Sequence, residues 1–179
     1  MTDYCTLATD HPYHAPYHDQ EYGFPVDDDA TLFERLVLEI NQAGLSWLTI
    51  LKKRAAFRQA FDDFAIDRVA TYGDADRERL LADAGIIRNR LKVDATIHNA
   101  GVILALQAEH GSFKAWLDHH HPLPLHDWVR VFKRTFRFTG PEIVNEFLMS
   151  TGYLPGAHRE DCPVHERILA CRPAWARHA

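Results

Sequence analysis

The sequence predicts an all-α protein, and three observations carry that expectation. Apolar residues recur mostly at helical spacing, strict alternation over a strand's length is hard to find, and capping residues and glycines punctuate the apolar runs. Asp27-Asp28-Asp29 offers N-caps and favourable first-turn charge for a helix running to about Ala43. Its apolar stripe is Leu32, Phe33, Leu36, Ile40 and Ala43, and Gly44 is placed to end it. Ser46 caps a second helix, Trp47 to about Phe61. Asp67 and Asp74 read as caps of two short helices, the second ending at Gly85. A longer helix fits Asn89 to about Ala108 and stops at Gly111. Pro122 and Pro124 mark a loop, with His119, His120 and His121 as a solvated stretch before it. Trp128 to Lys133 forms a further helix, and Pro141 opens one that ends near Gly152.

At 179 residues the chain suits a single domain, since domains run to about 150 residues, and it holds no internal repeat or Gly/Ser-rich linker. With 46% hydrophobic and 25% charged residues, the composition excludes collagen-like and generally disordered chains. Twenty Lys and Arg against 25 Asp and Glu give a net charge of −5, which excludes a wholly basic nucleic-acid binder but permits a local basic face. No run of about 18 apolar residues exists to span a membrane. The opening Met1-Thr2-Asp3-Tyr4-Cys5 lacks the features of a secretory signal, and three cysteines cannot all pair within one chain. Both point to a reducing cytoplasm.

Twelve histidines make metal binding the first chemistry to weigh. Cys5 and His18 lie near one end of the chain; His158 and Cys162, spaced His-x3-Cys, lie near the other. Two thiolates and two imidazoles would form a closed, four-coordinate set suited to structural zinc. Spacing alone leaves the matter open. Such a pair arises easily by chance among so many histidines, cysteine is common as a plain core residue, and His165 and Cys171 are competing ligands.

A second pattern is Asp83-Ala84-Gly85-Ile86-Ile87-Arg88-Asn89-Arg90-Leu91-Lys92. Gly85 permits a sharp turn, Ile86 and Ile87 can plug back between two helices, and the next helix presents its first amides to a phosphate. Arg88, Arg90 and Lys92 add positive charge. This reads as a helix-hairpin-helix gripping one nucleic-acid backbone without reading sequence; an ordinary helical hairpin with a solvated basic edge is the alternative. Lys52, Lys53, Arg54 and Arg58, with Arg130, Lys133, Arg134 and Arg137, extend the candidate basic face.

Glu39 follows Leu36 by three positions and precedes Ala43 by four, so it sits at the margin of its helix's core-facing stripe. Facing an apolar cleft, such a carboxylate has a raised pKa or a hydrogen-bonding task; otherwise it is simply solvated.

Tyr17-His18-Asp19-Gln20-Glu21-Tyr22-Gly23, Leu38-Glu39 and Gln42-Ala43-Gly44-Leu45-Ser46-Trp47 together resemble the 3-methyladenine DNA glycosylase I family. So do Leu51-Lys52-Lys53-Arg54, the 83–88 hairpin with Lys92, and Phe136-Arg137-Phe138-Thr139-Gly140. The likeness runs in order over essentially the whole chain. It implies a helix-hairpin-helix glycosylase fold whose terminal segments, 1–26 and 152–179, pack together around zinc held by Cys5, His18, His158 and Cys162. It implies hydrolysis of the N-glycosidic bond of alkylated purines in double-stranded DNA, with the nucleotide flipped out. Glu39 falls on the family's base-recognising carboxylate, Tyr17 and Trp47 on pocket aromatics, and Gly85, Ile86, Ile87, Arg88 and Lys92 on the backbone grip.

Three departures touch the base pocket. Leu7 stands where the family usually has Trp, His14 where Tyr is usual, and Tyr22 replaces the Trp of a Glu-Trp-Gly pattern. Leu7 offers no aromatic face, which predicts a wider pocket and poorer handling of 3-methyladenine. It also keeps a second reading in play: a zinc-stapled, non-catalytic module that binds DNA or senses lesions. A zinc hydrolase fits poorly, because four matched ligands leave no position for water.

Overall fold

The computed structural model describes residues 3–177. Its helices are α1 (Tyr4–Ala8), α2 (His14–Gln20), α3 (Asp29–Gln42), α4 (Trp47–Ala60), α5 (Ile66–Ala70), α6 (Asp74–Ala82), α7 (Arg90–His110), α8 (Phe113–His120), α9 (Leu125–Thr135), α10 (Pro141–Ser150) and α11 (Pro163–Ala170). Short 3₁₀ turns follow α4 and α11, and the described residues contain no strand. No helix among them is long and apolar enough to cross a membrane. The all-α expectation holds.

Helix α3 is the centre of the molecule. Leu32, Phe33, Leu36, Val37, Leu38 and Ile40 are wholly buried, and Arg35, Glu39 and Asn41 are buried with them. A helix covered all round is a core helix, and its polar residues then need partners or a purpose. Asp28 caps it as expected, accepting from the amides of Ala30 and Thr31. Asp29 turns away to accept from the amides of Phe113 and Lys114, tying α3 to the start of α8. The long α7 lays Val93, Ile97, Ala100, Ile103 and Leu106 against this core. Phe113, Trp128, Phe132 and Phe147, from α8, α9 and α10, fill the other side.

The structure corrects several boundaries. α8 occupies 113–120, where no helix was expected, so His119 and His120 end a helix and His120 packs edge-on against Trp116. Asp67 lies inside α5 rather than capping it, and α6 ends at Ala82, short of Gly85. The terminal segments carry short helices, α1, α2 and α11. These were missed because five to eight residues hold too little periodicity to register.

The basic residues need redistribution too. Lys92 is buried, and its Nζ donates to the carbonyl oxygens of Asn41 at 2.9 Å and Ala43 at 2.7 Å. Those carbonyls belong to the end of α3, where a helix leaves acceptors unsatisfied, so an ammonium is well matched to them. Lys92 therefore fastens α7 to α3 and does not reach a phosphate. Arg54 grips Glu21 with two bonds of 2.8 and 2.7 Å and also reaches Glu34, to which Arg58 bonds at 3.0 Å. Arg54 is an internal strut and Arg58, though exposed, is paired with Glu34, so neither is a free cation on a basic face.

Candidate active site

Helices α1 to α4 and α10 converge on a cavity of about 230 Å³ lined by Tyr4, Tyr17, Tyr22, Glu39, Gln42, Trp47 and Glu146. A wider cleft of about 580 Å³, bounded by the 43–45 turn and the start of α10, shares Glu39, Gln42 and Glu146 with it. The walls are aromatic. Tyr17 lies 5.1 Å from Trp47 between ring centroids, and Tyr22 lies 5.7 Å from Tyr17 and 5.3 Å from Tyr4.

The polar groups in this cavity are left open. Glu39 is only 4% exposed, yet none of the described residues donates a hydrogen bond to its carboxylate. Tyr17 Oη and Trp47 Nε1 are buried without a partner as well. Each such group costs about 1–3 kcal/mol if left unsatisfied, so a cavity holding three is built for something polar to enter. Burial pushes the Glu39 carboxyl up to about 8, Glu146 pushes in the same direction, and Arg35 pulls against them. Arg35 stands behind the wall, its guanidinium 4.8 Å from the Tyr17 ring centre. It donates to Ser150 O at 2.8 Å and to Glu21 at 3.3 Å.

Beside the cavity, Cys5, His18, His158 and Cys162 bring their ligating atoms within 4.8 Å of one another, all four buried. Sγ of Cys5 and Cys162 lie 3.8 and 3.6 Å from His158 Nδ1, and Cys162 Sγ lies 3.9 Å from His18 Nε2. Tetrahedral bonds of about 2.3 Å to sulfur and about 2.0 Å to nitrogen require S···N edges of about 3.5 Å, close to these values. The far ring nitrogens are held too: His18 Nδ1 by Asp19 at 2.7 Å, and His158 Nε2 by Tyr22 O at 2.7 Å. Such outer contacts fix which nitrogen faces a metal. This donor set can hold a metal ion. Gly23 makes the junction possible: its φ is +89°, and a Cβ there would lie 2.9 Å from both Ala157 and Ile168.

A family profile described as methyladenine glycosylase matches residues 7–127, about two thirds of the chain. The chain belongs to the methyladenine glycosylase family. It is 34% identical to a Haemophilus influenzae protein named DNA-3-methyladenine glycosylase, over 91% of this chain and 98% of that one. Among solved structures it is similar to 3-methyladenine DNA glycosylase I from Staphylococcus aureus, a study of 3-methyladenine recognition. The TM-score is 0.81, with 33% identity over 90% of this chain and 95% of that one. A tyrosine-to-phenylalanine variant of 3-methyladenine DNA glycosylase I in complex with 3-methyladenine also matches, with TM-score 0.81, 32% identity, 92% of this chain and 98% of that one.

Of the residues singled out in sequence, Glu39, Tyr17, Tyr22 and Trp47 line the cavity of this family member, and Leu7 and His14 do not. Leu7 is 49% exposed. At about 100° per residue, Cys5 and Ala8 set the inward face of α1 together with Tyr4, and Leu7 is turned well away from it. Tyr4 supplies the aromatic face that Leu7 seemed to remove, so the expectation of a wider pocket on that side is withdrawn. His14 is buried behind it, its Nδ1 3.2 Å from Tyr4 Oη.

At the hairpin, Ile86 is buried as expected, and a Cβ on Gly85 would approach Ala56 Cβ at 2.9 Å. The Gly85 amide is already given to Asp83 at 2.8 Å, so it is unavailable to a phosphate. The amides of Ile87, Arg88, Arg90 and Leu91 have no acceptor among the described residues, and the Arg88 and Arg90 side chains are exposed.

Sequence reading missed Tyr4, Gln42 and Glu146. The rule that found Glu39 would have found Glu146, which follows Ile143 by three positions and precedes Ser150 by four.

The raised Glu39 pKa has a consequence for stability. Between 4.5 and about 8 the folded protein keeps a proton that the unfolded chain releases, so stability falls as pH rises across that window. Glutamine at this position has no such loss. Glu39→Gln should be more stable than the parent at about pH 9, by on the order of 2 kcal/mol, with the gap closing toward acid. Thermal melts across pH test this; identical melting temperatures at alkaline pH contradict it.

Proposed function

We propose that this protein is a monofunctional DNA-3-methyladenine glycosylase that hydrolyses the bond between an N3-alkylated adenine and its sugar after flipping the nucleotide from double-stranded DNA. The observation that carries this reading is Glu39: a buried carboxylate without a partner, set among aromatic rings in a cavity sized for one flat heterocycle.

The chemistry follows from charge. An N3-alkylated adenine in DNA is cationic, so it is already a good leaving group and needs no strong acid. Tyr4, Tyr17, Tyr22 and Trp47 offer ring faces that attract a cation, an effect of about 0.5–2 kcal/mol per face depending on desolvation. The arriving positive charge favours ionised Glu39, which accepts hydrogen bonds from the exocyclic amine edge. The glycosidic electron pair then moves onto the base and neutralises it. Water forms the new bond at the sugar carbon and loses its proton to solvent.

DNA is held by the free amides at the start of α7 together with Arg88 and Arg90, a grip on phosphate that is independent of sequence. Leu7, which favoured a non-catalytic module, lies outside the cavity and no longer supports that reading.

The metal is zinc in this reading. Two thiolates and two imidazoles suit it, and with all four positions filled its part is to hold the terminal segments together. Protein purified without added zinc should carry about one equivalent, and Cys162→Ser should lose the metal and melt lower. Metal-free protein of unchanged stability contradicts the assignment.

The functional test is release of free bases from methylated duplex DNA, resolved by chromatography. The parent should release 3-methyladenine. Glu39→Gln should release it at least about a hundredfold more slowly while folding and binding undamaged DNA normally. Parental rates in that variant would defeat the role given to Glu39, and no release by the parent would defeat the reading itself.

A further inference from the structure

We propose that Glu146 is a second specificity-determining carboxylate of the base cavity, placed with Glu39 to receive the two hydrogens of an exocyclic amine and to reject a base presenting a carbonyl oxygen there. The proposal rests on the glycosylase reading above and extends it to substrate choice.

Glu39 comes from α3 and Glu146 from α10, and both line the aromatic cavity and the outer cleft. The two carboxylates therefore reach the same volume from different helices. Glu146 Oε2 accepts from Tyr22 Oη at 3.3 Å, which sets the carboxylate's direction, and Oε1 has no partner among the described residues. No cation pairs with Glu146 among the ion pairs of the described residues, so its charge is not spent on structure. A group needed only to orient the Tyr22 hydroxyl would not have to be a carboxylate beside another buried carboxylate, an arrangement that costs electrostatic energy.

The complementary ligand is a planar amine on a positively charged ring. Its two N–H bonds diverge, and each finds an acceptor on a different helix. With both carboxyls ionised by the arriving positive charge, a carbonyl oxygen in the same place would meet two acceptors and no donor, the kind of mismatch that gives strong discrimination. Tyr22 after α2, Tyr4 on α1, Tyr17 on α2 and Arg35 on α3 face this pair, and Glu142 on α10 lines the outer cleft with it. Burial raises the Glu146 pKa, and the Tyr22 hydrogen bond opposes it.

The test uses methylated duplex DNA containing both 3-methyladenine and 3-methylguanine, with each released base quantified at one salt concentration. Glu146→Gln keeps the size but offers a donor that a carbonyl can accept. It should slow 3-methyladenine release about tenfold and shift the adenine-to-guanine product ratio toward guanine by about tenfold. An unchanged ratio in a Glu146→Gln protein that melts like the parent overturns the proposal and leaves Glu146 as an anchor for Tyr22. Should that variant not fold, Glu146→Asp keeps the charge with a shorter reach. It should slow release while holding the parental ratio, and parental rates there overturn the proposal equally. A parent that releases neither base would count against the glycosylase reading instead, so the two failures are distinct.

Discussion

Helix α3 carries two buried ionisable groups one turn apart, and the fold pairs one while leaving the other open. Arg35 is 2% exposed and is bonded to Ser150 O and Glu21, with its guanidinium against the Tyr17 ring. Glu21 in turn takes Arg54, and Arg54 and Arg58 share Glu34. This chain of charge-assisted bonds ties the end of α2, the middle of α3, the face of α4 and the end of α10 into one frame. Glu39 lies inside the frame and belongs to none of it. A buried carboxyl can be left this way only where neighbouring structure holds it in place, which is the signature of a site rather than of packing.

The Cys2His2 cluster works on the same walls from the other side. Tyr17 faces the cavity and His18 the cluster, one residue apart, while Tyr22 faces the cavity and gives its carbonyl to His158. Cys5 likewise fixes the rotation of α1 and so presents Tyr4 inward. The staple thus does more than join two ends of the chain. It sets the angle of three of the four aromatic faces.

What the sequence made legible follows from where the physics is local. Helices α3, α4, α7 and α10 were readable because each runs ten residues or more and has a cap or stop of the right chemistry. Glu39 was readable as a carboxylate at the edge of such a stripe. The Cys2His2 set was only a suggestion in spacing until distant segments were seen together. Lys92 and Arg54 were misplaced because a cation's partner cannot be read from its neighbours in sequence: theirs lie 20 to 51 positions away. Leu7 misled for a related reason. Matching a family position assumes the helix phase, and here Tyr4, three residues earlier, occupies the face.

Glu39 is held without a partner in the aromatic cavity, and its carboxyl can be watched directly. Carbon-13 NMR of protein labelled at glutamate side-chain carboxyls, assigned by comparison with Glu39→Gln, gives its titration in the folded state. The expected midpoint for Glu39 in the free protein is near 8, far above 4.5. A midpoint near 4.5 would contradict it, because the carboxylate would then be as well solvated or paired as any surface glutamate.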